Sequence, residues 1–226
     1  MKKKVIGILA TVSLTFTLGA CGQQNNVGDN NKQNSTTMSD ILNSKSDREI
    51  VMVNESTDSE SPKISWAGTI GKGKIDLHPY EVGSFKDGKD FTFDSVKNLN
   101  LKEFKEKLKE QDNNYQESDS NGNDIKIQTG KVNGKIILHS ADGKETQSIN
   151  LDFNTKNRGS VEDKDAMVNP EFSEIKGKQE GWLAMSTNQE EDPSTIMIKA
   201  KKDEKSLDFE NVKKAKKEYK NVEVVK

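Results

Sequence analysis

IKIQTGKVNGKIILHSADGKETQSINLDF, residues 125–153, is the stretch whose reading decides the fold. Apolar and polar residues alternate along it, the period of a strand with one buried face. Asn133-Gly134 is a dipeptide that supplies the positive φ angles of a type I′ turn, so strands over 125–132 and 135–140 are predicted to pair as a hairpin. Asp142-Gly143 repeats the device, and Ile149, Leu151 and Phe153 give a third strand one apolar face. Three antiparallel strands in succession make a β-meander.

Working outward, Asn100-Leu-Lys-Glu103 matches a capping box, and Leu101, Phe104 and Leu108 then fall on one side of a helix. Residues 63–69 and 74–77 are strand candidates around the Gly71-Lys72-Gly73 turn, and Phe91 and Phe93 share a face of another. Residues 48–54 (REIVMVN) read as a short strand, and 38–46 as a helical turn around Ile41 and Leu42. Near the end, 181–187 and 195–201 pair around Glu-Glu-Asp-Pro. A basic helix over 207–219 turns Phe209, Val212, Ala215 and Tyr219 inward. This order predicts an α+β domain: a mainly antiparallel sheet with a β-meander and two helices on one side. No internal repeat of constant period is present.

The 226 residues carry 35 Lys+Arg against 37 Asp+Glu, a formal charge of −2. Such balance, without a basic stripe interleaved with aromatics, argues against nucleic acid as a partner. The single cysteine, Cys21, rules out a disulfide scaffold built within one chain.

That cysteine has a specific setting. Lys2-Lys3-Lys4 precedes sixteen charge-free residues, 5–20, and then Cys21. As a helix the run would be roughly 24 Å long, short of the ~30 Å hydrocarbon core, so it reads as a signal peptide instead of a permanent span. Leu18-Gly19-Ala20-Cys21 resembles the lipobox of bacterial lipoproteins, and the Lys- and Asn-rich style resembles those of low-GC Gram-positive bacteria. The resemblance implies cleavage between Ala20 and Cys21 and diacylglyceryl transfer to the Cys21 thiol; acylation of the new amino terminus is left open by the sequence. Two acyl chains anchor stably where one is marginal. Removing residues 1–20 takes away three lysines and no acids, leaving 32 basic against 37 acidic residues, or −5. The expected organisation is a signal peptide (1–20), a lipidated and flexible polar tether (21–60), and one α+β domain (61–226).

Candidate chemistry is sparse. GTIGKGKI, residues 68–75, has the glycine spacing of a phosphate loop, but Ile75 stands where a magnesium-binding Ser or Thr belongs and no helix follows. A nucleotide partner is therefore not expected. Residues 117–128 place oxygen-bearing side chains at calcium-loop spacing with Gly122 at the sixth position, yet Gln128 replaces the bidentate carboxylate. Asp76 and His78 share a face of an extended segment, and His139 near them would make a three-ligand zinc site. No Gly-x-Ser-x-Gly elbow supports a hydrolase triad. Trp66 and Trp182 read as core residues or as partly exposed ligand-binding platforms. Lys213, Lys214, Lys216, Lys217 and Lys220 form either a solvated face balanced by Glu210 and Glu218, or a contact for an anionic wall polymer. The expectation is a membrane-anchored extracytoplasmic lipoprotein whose domain binds a cell-wall polymer or a protein, with no catalytic residues, metal or cofactor. The rival expectations are a metal-dependent extracellular hydrolase, a calcium-binding domain, and a signal peptide that serves as a pheromone precursor.

Overall fold

The computed structural model describes residues 34–54, 61–80, 84–118, 121–125, 129–153, 170–189 and 193–226. They belong to one compact unit, Asn31–Lys226. It opens with β1 (Ser35–Thr37), α1 (Met38–Leu42), β2 (Arg48–Asn54), β3 (Lys63–Gly71) and β4 (Lys74–Pro79). A long excursion carries α2 (Leu101–Asn114) and two short strands, β5 (Glu117–Ser118) and β6 (Asp124–Ile125). The chain returns through β7 (Gly130–His139), β8 (Ser148–Phe153), β9 (Phe172–Gln179), β10 (Trp182–Thr187) and β11 (Ser194–Lys199). It ends in β12 (Ser206–Asp208), α3 (Val212–Glu218) and β13 (Val222–Val225).

Eight strands close into a barrel. Around the ring run β2, β3, β4, β7, β8, β9, β10 and β11, each antiparallel to its neighbour, and β11 returns to β2 through pairs such as Ile198↔Ile50. β13 pairs with β7 in parallel and is not part of the ring. This corrects the expected open meander with two helices on one side. The expected first hairpin is absent, since residues 130–139 are one strand, and the antiparallel succession from β2 to β11 runs on until its last strand meets its first; the described helices number three, each in a different place. Residues 35–54 belong to the folded body, ahead of the expected boundary at 61. Closure joins residues 140 to 148 positions apart, which no local pattern encodes.

The strands divide by what covers them. β7 alternates buried with more exposed residues, as a wall with one wet face must. β2, β3, β10 and β11 are buried nearly throughout because they have two dry faces. Inward, Ile50, Met52, Trp66, Leu183, Met185 and Ile198 join the barrel interior. Outward, Val51, Val53, Ala67, Trp182, Ala184 and Met197 lie under α2, Tyr80 and the 84–99 segment, with Phe91, Phe93, Phe104 and Leu108 in the contact. A register shift after Met52 moves Ile64 to the outer face while Trp66 stays inside. α2 starts as predicted, with the Asn100 carbonyl oxygen Oδ1 accepting from the backbone of Lys102 and Glu103 and the Glu103 carboxylate accepting from Asn100 N–H. Phe91 and Phe93 are buried as expected, but Phe93–Ser95 is a single 3₁₀ turn and not a strand.

Asn133-Gly134 makes no turn; it lies inside the continuous strand β7. Gly134 is needed for space: a Cβ there would lie 2.8 Å from Leu42 Cδ1 and 3.2 Å from Ile75 Cδ1. Leu42 belongs to α1, which closes one end of the barrel with Met38, Ile41 and Leu42 fully buried. Five residues cannot hold a helix in water. α1 persists because Thr37 and Asp40 form a capping box and its apolar face enters the interior. The expected helix over 207–219 splits into β12, which pairs with β1, and the shorter α3, with Phe209 half-buried between them.

Glu210 fastens this end. Its Oε1 accepts hydrogen bonds from Ser39 N–H (2.8 Å) and Ser39 Oγ (2.9 Å), while its buried Oε2 has no partner. Burial pushes the carboxyl above the ordinary range, against the pull of the Ser39 bonds. A carboxyl raised in the folded state stabilises the fold below its unfolded pKa and loses that contribution as pH rises through the folded value. Glu210→Gln keeps an acceptor for Ser39 and removes the titration. The variant is expected to gain thermal stability over the parent increasingly as pH rises above the ordinary glutamate range. Melting curves that differ by the same amount at every pH would rule this out.

Candidate functional site

A polar network lies where the end of α2 meets β4. β4 presents Asp76 and His78 on its outer face, as the strand period requires, and β3 places Gly68 and Thr69 opposite Leu77 and Asp76. Asp112, near the end of α2, receives His78 Nδ1 at 2.9 and 3.1 Å from its two oxygens. Tyr80 Oη donates to the same carboxylate at 2.9 Å. Burial, reinforced by the Asp112 charge, pushes the Tyr80 phenol far above its usual range, so it stays protonated as a donor. With Nδ1–H directed at Asp112, the other ring nitrogen, Nε2, is left facing Asp76 at 4.0 Å. Such a carboxylate–imidazole pair can hold or move a proton at Nε2. Among the described residues no serine, threonine or cysteine hydrogen-bonds to that nitrogen, and no group of three or more His, Cys, Asp or Glu side chains converges in metal-binding geometry.

Beside it is a shallow basin of about 30 Å³ lined by Asp47, Thr69, Gly71, Lys72, Lys74, Asp76 and Lys131. Here the phosphate-loop spacing of residues 68–75 finds its structural meaning. Lys72 and Gly73 have φ of 58° and 72° and form a tight strand turn, the conformation that favours glycine. Their amides are occupied, Lys72 N–H by Ser44 O (2.8 Å) and Gly73 N–H by Leu42 O (2.7 Å). A phosphate cradle needs those donors; this turn spends them on the carboxyl end of α1. Lys72 pairs with Asp47 at 3.1 Å, and Lys105 of α2 approaches the same carboxylate at 3.6 Å.

The remaining sequence candidates separate. His139 hydrogen-bonds through Nε2 to Asn150 on β8 and is not part of the His78 network. Trp66 is 2 % exposed inside the barrel and Trp182 is 0 % exposed beneath α2, so neither forms a partly exposed platform. Trp182 packs edge-on to Phe93 (5.4 Å) and donates Nε1–H to Lys97 O (3.0 Å). Residues 119–120 and 126–128 of the calcium-like stretch, and all of 1–33 including Ala20 and Cys21, lie outside the described residues. Sequence reasoning missed Asp112 and Tyr80. Tyr80 follows directly on β4, and Asp112 stands four residues past Leu108, on the inward stripe of α2. That position for a carboxylate on an apolar stripe was the available signal.

No protein-family model matches the chain, no curated protein is significantly similar to it, and no solved structure matches its fold.

Proposed function

We propose that the chain is a lipoprotein anchored through Cys21 to the outer face of a bacterial cytoplasmic membrane, with a barrel that binds its partner on the exterior surface. The observation that carries the reading is Leu18-Gly19-Ala20-Cys21 at the end of a charge-free run behind three lysines. The barrel adds the mode of binding. Barrels that enclose small molecules keep an open interior, whereas this one is packed with Met38, Leu42, Trp66, Leu183, Ile198 and their neighbours. A partner is met on the outside, where a cell-wall polymer or another protein has access. Nucleic acid and nucleotides fit neither the charge balance nor the occupied turn amides.

The test is membrane fractionation of cells that make the parent or Cys21→Ala. The parent is expected to sediment with membranes, and its amino-terminal peptide to carry the mass of a lipid-modified cysteine. The variant should appear mostly in the medium or as uncleaved precursor. A parent that starts at Met1 without lipid refutes the anchoring.

A further inference from the structure

We infer that the exposed face of α3 is a docking surface for anionic lipid headgroups, which seats the plugged end of the barrel on the membrane. This rests on the anchored reading above, and the arms of the experiment separate the two.

The first observation is where the chain enters the body. Lys205 N–H donates to Asn34 O (2.9 Å), β1 pairs in parallel with β12, and Ser39 and Asp40 reach Glu210 and Tyr219. The first described residues are therefore in direct contact with the segment that leads into and out of α3. Between Cys21 and Asn34 there are thirteen peptide steps. At ~3.3–3.6 Å each they span at most about 47 Å in any conformation. An anchor on Cys21 thus leaves this end within reach of the bilayer, because the chain enters the body beside α3.

The second observation is the charge of that face. α3 buries Val212 and Ala215 and exposes Lys213, Lys214, Lys216 and Lys217, followed by exposed Lys220. Of the two acids next to these lysines in sequence, Glu210 is turned inward, 4 % exposed and bound to Ser39, so it gives the face no surface charge. Glu218 meets only Lys214, at 3.9 Å. No ion pair among the described residues engages Lys213, Lys216, Lys217 or Lys220. Asp40 lies against Lys214 and Tyr219, and the adjoining β7–β8 turn brings Lys144 with Asp142 and Glu145; together these lower the local excess without reversing it. A chain that is −5 after cleavage thus carries a positive face beside its attachment point. Lysines near an anionic bilayer surface attract it within a Debye length. Weak as each contribution is, the anchor supplies a high local concentration that makes it effective.

The experiment uses the full-length protein purified from its membranes and reconstituted into vesicles of pure phosphatidylcholine or of phosphatidylcholine with a third phosphatidylglycerol. Flotation reads attachment. Acetylation by a membrane-impermeant reagent, followed residue by residue by mass spectrometry, reads the face. On phosphatidylglycerol vesicles at low salt, the labelling rates of Lys213, Lys216, Lys217 and Lys220 are expected to fall at least about threefold relative to phosphatidylcholine and to recover in about 0.5 M salt. Lys102, on the outer side of α2 with 85 % of its side chain exposed, serves as the unchanged reference. Protein that floats with both vesicles and labels identically on each keeps its anchor and overturns the docking face. Protein that floats only with the anionic vesicles lacks the anchor and retains the face. Protein that floats with neither overturns both. Protection by soluble poly(glycerol phosphate) but not by anionic vesicles also overturns the inference and assigns the face to a wall polymer.

Discussion

Gly68→Ala is expected to be the most damaging single substitution in the wall, lowering stability by about 4 kcal/mol or more, if the variant folds at all. A Cβ at this position would lie 1.8 Å from Asp76 O and 2.9 Å from Asp76 C, both backbone atoms of the neighbouring strand. Neither can move without parting β3 from β4. The requirement is one of approach, since φ at Gly68 is not positive. Gly134→Ala is the informative comparison. Its Cβ would meet the methyl tips of Leu42 and Ile75, which can turn aside, so the cost is expected to be about 1–3 kcal/mol. For a body of this size each kcal/mol moves Tm by roughly 2–4 °C. Calorimetry of the two variants should show Gly68→Ala melting well below Gly134→Ala; equal melting points would mean that the strands can separate freely.

The second large effect is expected at Trp182. Trp182→Ala removes a fully buried indole that packs against Phe93 and Phe104 and lies beneath the Lys199 ammonium, 4.8 Å from the ring centroid. Large aromatic truncations in a core cost about 3–5 kcal/mol, or a fall in Tm of roughly 6–20 °C. Lys97 O accepts from both Trp182 Nε1 and Lys199 Nζ (2.6 Å), so it keeps one donor when the indole is lost. Trp182→Phe should therefore recover most of the stability. Burial holds the Lys199 ammonium below its usual range, and opening a cavity beside it admits water and relieves that pressure. A Trp182→Ala variant as stable as the parent would show that α2 is not packed on the wall as described.

Those two positions also show what could be read from residues alone. Within REIVMVN and WLAMST the runs 50–53 (IVMV) and 182–185 (WLAM) are apolar without alternation because each strand is buried on two sides. That continuity is the local mark of a wall covered inside and out, but by itself it predicts only a strand. Closure was not legible, because the pairing of Ile50 with Ile198 depends on strand tilt and on the sum of eight registers. Asn133-Gly134 misled for a physical reason: glycine serves both turns and tight approaches, and sequence does not say which. The fate of residues 38–42 was hidden because a five-residue helix has almost no propensity signal, and its burial comes wholly from tertiary contacts. At the candidate site, Asp76 and His78 could be placed on one face by period alone. Asp112 came to them through the crossing of α2, which only the packing of Phe104 and Leu108 determines.

The order in which the chain meets its own fold has a mechanical consequence. A pull transmitted through Asn34 acts first on the three pairs that join β1 to β12, and next on α1. Ring strands are laced along both edges, whereas α1 is retained by three apolar side chains and a handful of polar contacts. Tension applied at Asn34 therefore draws the stopper before it tears the cask, uncovering the interior at the end nearest the point of pull while the staves remain joined.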